Sequence, residues 1–157
     1  MTGIRIAGRW MGCVPACSQE LPRDRAAIFP SYAGAANPEP VAPTCLHFRM
    51  LTPRPLEMNA GVLIDYRMRL HGVPLRWRSE ITVWEPPRRF VDVQRRGPYR
   101  WWRHQHLFRE KQNGGTVVSD VVEYGVWGGA LVHRLFVAPD LRRIFSYRSR
   151  QLRAIFR

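Results

Sequence analysis

The chain has 157 residues, of which 45% are hydrophobic and 11% aromatic. This length suits a single domain with a substantial core, and the composition excludes a disordered chain. No apolar run approaches the roughly 18 residues that a membrane-spanning helix needs. Residues 1–9 lack the basic and then apolar segments of a signal peptide, so we expect a cytoplasmic protein.

The formal net charge of +13 suggests polyanion binding as one function. Lys111 is the only lysine, and the arginines are spread along the chain instead of gathered into one segment. Such an arginine-dominated composition is typical of GC-rich bacterial genomes. A solvated basic surface is therefore favoured over a nucleic-acid site, with contact to an anionic membrane surface as an alternative.

The three cysteines, Cys13, Cys17 and Cys45, are an odd number, and no second pair of Cys or His at zinc-finger spacing follows them. Structural zinc sites use four ligands, usually in two closely spaced pairs. We interpret the cysteines as free thiols in a reducing compartment.

Residues 1–20 form a poorly defined N-terminal segment, because glycines and Pro15 interrupt them, although residues 4–6 could form a short first strand. Residues 1–18 do not resemble a regular strand. The domain itself is placed at residues 21–157. Pro22 to Asp24 predicts the start of a helix, which Pro30 should kink or end. Gly34 and Asn37-Pro38 then predict a break.

Residues 40–44 suit a short helical turn and residues 46–52 a strand. Residues 61–84 are the clearest β-hairpin of the chain. A two-residue turn at His71-Gly72 pairs Leu70 with Val73, Met68 with Leu75 and Tyr66 with Trp77. The same register pairs Asp65 with Arg78 and Arg67 with Arg76 on the opposite face. One face of this hairpin is therefore apolar and the other charged, as in a sheet with one buried side.

A strand at residues 89–94 precedes a second hairpin over residues 101–124. A three-residue loop at 112–114 pairs Lys111 with Gly115. This register places His106 opposite Asp120, His104 opposite Val122 and Trp102 opposite Tyr124. From Ala130 the hydrophobic period becomes helical, and Pro139 should kink this helix or split it near Ala138.

This order of elements predicts an α+β fold in which a curved antiparallel sheet wraps around one long C-terminal helix. An internal cavity remains wherever side chains do not fill the space between sheet and helix.

The segments LTPRPLEM, GVLIDYRMRLHGVPLRWRSEITVWEPPRRFVDVQ, RGPYRWWRHQHLF, GGTVVSDVVEY and IFSYR resemble a bacterial branch of the START/Bet v 1-like superfamily, described as SRPBCC or polyketide-cyclase-like ligand-binding proteins. The resemblance covers about residues 21–156. It implies a helix-grip fold with a deep apolar pocket and binding of a small hydrophobic molecule. Both carriers and enzymes occur on this fold, so it does not decide between them.

The pair His106 and Asp120 has three interpretations. It could be a polar pair within the sheet, a polar contact for a ligand, or an acid–base dyad for cyclisation or dehydration. In this register only His106 gains an acidic partner, while His104 is left to the pocket or to packing. A metal site would need a third ligand beside the two histidines, and none is placed there, so neither a metal nor another cofactor is expected.

We therefore favour a non-catalytic protein that binds a small hydrophobic ligand of lipid, polyketide or isoprenoid type. The alternatives are a cyclase or dehydratase using His106 and Asp120, and a basic adaptor for nucleic acid or anionic membrane. The expected ligand-binding residues are Tyr66, Trp77, His104, His106, Asp120 and Tyr124 from the sheet, and Leu141, Ile144 and Phe145 from the helix.

Overall fold

The computed structural model describes residues 5–9, 12–33 and 41–157, with side chains from residue 17 onward. Their main element is an eight-stranded antiparallel sheet with the strand order β1-β2-β8-β7-β6-β5-β4-β3. The strands are β1 (Arg5–Arg9), β2 (Gly12–Leu21), β3 (Arg49–Met50), β4 (Leu63–Leu70), β5 (Val73–Glu85), β6 (Arg89–Arg96), β7 (Trp101–Lys111) and β8 (Gly115–Gly125).

Helices lie at the two ends of the meander formed by these strands. Helix α1 (Arg25–Ala33) follows β2, and a 3-10 turn (Thr44–Leu46) precedes β3. After β8 the chain continues as α2 (Gly129–Val132), a π-helical turn (His133–Val137) and α3 (Ala138–Ile155). Pro139 lies in the first turn of α3, and the backbone is helical on both sides of Ala138, so the helix changes there from π to α hydrogen bonding and is not split.

The N-terminal segment is more regular than its sequence suggests. Residues 1–18 were expected to lack a regular strand, but β1 and β2 pair with each other, and β2 pairs along β8 from Cys13 to Leu21. The hydrogen bonds of this ladder, which join residues about 100 positions apart, override the local preference of the glycines and of Pro15. The expectation of an irregular segment was therefore wrong for residues 5–9 and 12–18, whereas the short first strand that the sequence allowed at residues 4–6 is present as β1 from Arg5.

The register of the first hairpin is confirmed. Leu70 pairs with Val73, Tyr66 with Trp77 and Asp65 with Arg78. His71 and Gly72 both have positive φ angles, 49° and 79°, as a two-residue type I′ turn requires.

The register of the second hairpin is confirmed as well. His106 pairs with Asp120, His104 with Val122 and Trp102 with Tyr124. The three-residue loop ends at Gly114, whose φ of 75° is the left-handed conformation expected there.

Helix α1 begins after Asp24, whose Oδ1 accepts a hydrogen bond from the backbone N–H of Ala27 at 2.7 Å. Pro30 was expected to kink or end this helix, but the helix continues to Ala33. Ala26 and Pro30 both lie on the exposed face. The Ala26 carbonyl, which Pro30 cannot satisfy, is therefore accessible to water, and the missing bond is tolerated. The predicted break at 34–38 lies outside the described residues.

The strand predicted at residues 46–52 is much shorter in the structure, since only Arg49 and Met50 pair with β4. Leu46 belongs to the 3-10 turn, and His47 adopts a left-handed φ of 44°, which interrupts extended backbone. Within the helical turn expected at 40–44, Val41 is in 3-10 conformation, residue 40 lies outside the described residues, and a further 3-10 turn begins at Thr44.

The core has two parts, both on the concave side of the sheet. One part packs Ile28 and Phe29 of α1 against Phe90 and Phe108, and the other packs Leu141 and Phe145 of α3 against Trp102. No helix in the described part of the chain combines the length and the apolar character needed to cross a membrane.

Two of the three cysteines have described side chains. Cys17 is buried, Cys45 is exposed, and both are free thiols. The side chain of Cys13 lies outside the described residues.

Candidate functional site

A cavity of about 250 Å³ lies between the concave face of the sheet and helix α3. Its wall is mainly apolar and aromatic, with a few polar groups. The apolar and aromatic part includes Tyr32, Leu46, Phe48, Ile64, Tyr66, Met68, Trp77, Ile81, Phe90, Tyr99, Trp102, Leu141, Ile144, Phe145 and Leu152. The polar part consists of Ser31, Ser79, Asp92, His104, His106 and Arg148.

Seven of the nine residues expected at the ligand site line this cavity, namely Tyr66, Trp77, His104, His106, Leu141, Ile144 and Phe145. Asp120 and Tyr124 are not part of the lining. The Asp120 carboxylate faces the two imidazoles, while the Tyr124 hydroxyl is hydrogen-bonded to His133 Nε2 at 3.0 Å. Both side chains are buried behind the wall.

The polar groups of the wall include a compact cluster of two histidines and an aspartate, with Asp120 behind them. His104 Nε2 donates a hydrogen bond to Asp120 Oδ1 at 3.1 Å, and His106 Nε2 donates one to Asp92 Oδ2 at 3.0 Å. His104 Nδ1 lies 3.7 Å from the same Asp92 oxygen. The two imidazole rings are tilted by 36° relative to each other, with their centroids 3.8 Å apart. We call these four residues the His–Asp cluster.

The contact between His106 and Asp120 differs from the expected hydrogen-bonded dyad. His106 Nδ1 lies 2.8 Å from Asp120 Oδ1, but the arrangement is too bent for a hydrogen bond. That ring nitrogen is buried and has no hydrogen-bond partner among the described residues. The hydrogen bond to Asp120 comes instead from His104.

The expectation that only His106 has an acidic partner was therefore wrong. Side chains that are diagonal on one face of a sheet also come within reach, and Asp120 is diagonal to His104. On its other side β7 pairs with β6, where Asp92 lies directly opposite His104. Phe90 and Asp92 are two residues apart in β6, so they lie on the same face of the sheet. This alternation in the sequence could have placed Asp92 on the cavity side, beside the histidines.

Burial and mutual contacts determine the ionisation of the His–Asp cluster. Burial, together with the neighbouring charge of His106, lowers the pKa of His104. Burial also opposes charging of His106, but the adjoining carboxylates of Asp120 and Asp92 outweigh it and raise its pKa. Burial would raise the pKa of Asp92, yet both histidines hold it below its ordinary value. Arg148 and the histidines likewise overcome burial and hold the pKa of Asp120 well below its ordinary value.

Arg148 brings a positive charge from α3 to the cavity wall. Its guanidinium lies over the Tyr32 ring, 5.2 Å from the centroid, and its Nε is buried without a hydrogen-bond partner among the described residues. The other arginines nearby in α3 are exposed, namely Arg142, Arg143, Arg150 and Arg153. Arg148 was not among the expected site residues, because nothing in the sequence distinguishes it from these exposed arginines.

Three half-buried tyrosines also touch the cavity. Burial raises the pKa of Tyr32, of Tyr66 and of Tyr99 above its ordinary value, so each hydroxyl is neutral at physiological pH. Tyr32 accepts a hydrogen bond from Gln19 Nε2 at 2.9 Å. These hydroxyls are therefore hydrogen-bonding groups and not charges.

Comparison with solved structures identifies the fold. A Mycobacterium smegmatis protein, Ms6760, superposes with a TM-score of 0.67 at 16% identity, covering 96% of this chain and 95% of its own. Ginseng major latex-like protein 151 from Panax ginseng gives 0.68 at 10% identity, covering 94% and 99%. Protein CV1439 from Chromobacterium violaceum gives 0.70 at 11% identity, covering 91% and 96%. The chain has the Bet v 1-like helix-grip fold, and the expected α+β architecture is confirmed.

At these identities the comparisons describe the fold alone. No protein-family model matches the chain, and no curated protein sequence does.

Proposed function

We propose that this protein binds a small hydrophobic molecule in the cavity between the sheet and α3. The observation that carries the proposal is the composition of the wall, in which aromatic and aliphatic side chains dominate and a few polar groups are grouped together. Ligand sites in proteins are mostly apolar concavities with a small number of placed polar groups. The volume of about 250 Å³ is just below the usual range of such sites, roughly 300–1,000 Å³, and favours a compact ligand.

The cavity can be tested with the neutral fluorescent arylamine N-phenyl-1-naphthylamine. Ile144 is half-buried and lines the cavity from α3, so Ile144→Trp fills part of the space. We expect saturable binding by the wild-type protein and at least roughly tenfold weaker binding by this variant, because the probe and the indole compete for one volume.

The matched control is Arg142→Trp, which adds the same side chain to the exposed face of the same helix. It should bind the probe as the wild type does. A folded wild-type protein that binds no probe, or equal binding by both variants, would contradict an internal site. Native mass spectrometry of the purified protein would then identify any molecule that copurifies.

A second candidate is contact with an anionic membrane surface. Four large apolar side chains between β8 and α3 are exposed. They belong to Trp127, Leu131, Leu135 and Phe136. The exposed Arg134 lies among them, and the Arg100 guanidinium lies 5.8 Å from the Trp127 ring centroid. Exposed apolar residues with interspersed arginines favour insertion at the boundary of anionic lipids.

A further inference from the structure

We propose that His104, His106 and Asp92 bind one divalent transition-metal ion of the Zn²⁺ class. The site goes beyond binding of a hydrophobic molecule and does not depend on it. The absence of a third ligand was the reason to expect no metal from the sequence, and Asp92 now occupies that place.

The positions of the donor atoms support the site. Ring nitrogens of His104 and His106 and a carboxylate oxygen of Asp92 all lie within 4.8 Å of one another. Asp92 Oδ2 is 3.0 Å from His106 Nε2 and 3.7 Å from His104 Nδ1. Tetrahedral coordination with bonds of about 2.0–2.1 Å separates neighbouring ligand atoms by about 3.3 Å, which lies between these two distances.

Asp120 supplies a second independent observation. Metal-binding histidines normally present their other ring nitrogen to a carboxylate, which fixes the tautomer. With the nitrogens nearest Asp92 taken as ligands, the remaining nitrogens are His104 Nε2 and His106 Nδ1. Both lie close to Asp120 Oδ1, at 3.1 Å and 2.8 Å. Asp120 therefore accepts a hydrogen bond from His104 and lies beside His106 Nδ1, which has no hydrogen-bond partner among the described residues.

Charge and donor type indicate the class of ion. The carboxylates of Asp92 and Asp120 carry two negative charges, which a divalent ion offsets when both imidazoles are neutral. Imidazole and carboxylate donors suit Zn²⁺ and its first-row neighbours, whereas Mg²⁺ and Ca²⁺ prefer oxygen ligands alone and Cu⁺ prefers sulfur.

The three ligands leave a coordination position directed to the cavity. Asp92, His104 and His106 all line the cavity wall, whereas Asp120 does not. Water, or an oxygen atom of a molecule in the cavity, would complete the coordination. Sites with three protein ligands and one open position are typical of metals that act on a substrate.

The site can be tested with tag-free protein that is first treated with a chelator and then titrated with Co²⁺ or Zn²⁺. We expect one equivalent to bind, with the visible absorption of tetrahedral Co²⁺. Asp92→Asn and His104→Gln should each abolish that absorption. Asp120→Asn keeps all three ligands and should weaken metal binding by about 10- to 100-fold.

Two controls remove other potential ligands. His71→Asn eliminates an exposed histidine at a positive φ angle that asparagine tolerates, and Cys45→Ser eliminates the exposed thiol. Both should bind Co²⁺ as the wild type does. Circular dichroism establishes that each variant is folded. If His104→Gln fails to fold, Asp92→Asn, which is nearly isosteric, decides the question.

The proposal is overturned if the folded wild-type protein binds no Co²⁺, if Asp92→Asn binds it undiminished, or if only Cys45→Ser loses it. Probe binding in the cavity is measured separately, without metal. Failure of the metal site and failure of hydrophobic-ligand binding are therefore distinguishable.

Discussion

Arg148 is the cation of the cavity wall, where its guanidinium lies over the Tyr32 ring and its charge lowers the pKa of Asp120. A buried guanidinium N–H without a hydrogen-bond partner is costly unless something supplies an acceptor. An acidic or strongly polar group on the bound molecule would supply one. The cavity should therefore discriminate between ligands by the charge of one end.

Replacing Arg148 with methionine removes the positive charge but keeps a long side chain, so it tests whether the charge itself contributes to ligand binding. The fluorescent probe 1-anilinonaphthalene-8-sulfonate carries a sulfonate that N-phenyl-1-naphthylamine lacks. We expect Arg148→Met to weaken binding of the sulfonate probe by roughly 10- to 100-fold, as loss of a hydrogen bond to a charged group implies, with little change for the neutral probe.

Fluorescence titration of both probes provides the measurement. Arg150→Met is the matched variant, since Arg150 is exposed on the same helix and should leave both affinities unchanged. An equal loss of both probes in Arg148→Met would show that the residue acts through packing, and discrimination by charge would be refuted.

The predictions for individual residues were correct where they depended on the pairing of only two strands. The pairing of His106 with Asp120 followed from a turn of known length. The hydrogen bonds of the His–Asp cluster could not be predicted from this pairing, because they depend on a third strand, β6, and on the side-chain rotamers. Asp92 reaches the histidines from β6, and the β6–β7 connection around Gly97-Pro98 has no turn length that the sequence determines.

At the level of elements, the most local features were the most predictable. The first β-hairpin follows from alternating hydrophobicity and from a turn whose residues accept positive φ angles. Strand β2 could not be predicted from local sequence, because its stability comes from pairing with β8 near the other end of the chain. A sequence window contains no information about such a distant partner.

Pro30 provides a test at the same level. It interrupts the hydrogen bonding of α1, yet the helix continues. We expect Pro30→Ala to raise the free energy of unfolding by about 1–2 kcal/mol, because the N–H restored at residue 30 can bond to the Ala26 carbonyl. The gain is reduced by about 0.4–1 kcal/mol, because alanine leaves the unfolded chain more conformational freedom than proline does.

Urea denaturation followed by circular dichroism measures this change. Ala27→Gly, at an exposed position of the same helix, should lower stability by about 0.5–1 kcal/mol and shows that the assay resolves changes within α1. A Pro30→Ala variant that is less stable than the wild type would mean that Pro30 stabilises the folded protein.

At the scale of the whole molecule, the net charge of +13 and the exposed apolar side chains before α3 predict association with anionic lipid. We expect the protein to sediment with vesicles of phosphatidylglycerol and phosphatidylcholine but not with phosphatidylcholine alone. Higher salt should weaken the association, because it screens the charge contribution. Phe136→Ser should weaken it further, through loss of apolar insertion.

Ile155→Ser is the matched control for that experiment. Phe136 and Ile155 are 56% and 55% exposed, and Ile155 ends α3, about 28 Å along the helix from Phe136. The variant should bind vesicles normally. Equal binding to neutral vesicles, or no effect of Phe136→Ser, would argue against this surface. Duplex DNA in the same buffer tests whether the positive charge attracts polyanions in general.

The shortness of strand β3 affects how molecules of this protein associate with one another. β3 pairs only with Tyr66 and Arg67, so the edge of β4 from Met68 to Leu70 has no partner strand among the described residues. An open edge can template pairing with a second molecule and so start aggregation. Arg67 and Arg69 place positive charge along this edge, and two such edges would repel each other. We therefore expect Arg67 and Arg69 to oppose edge-to-edge aggregation of the concentrated protein.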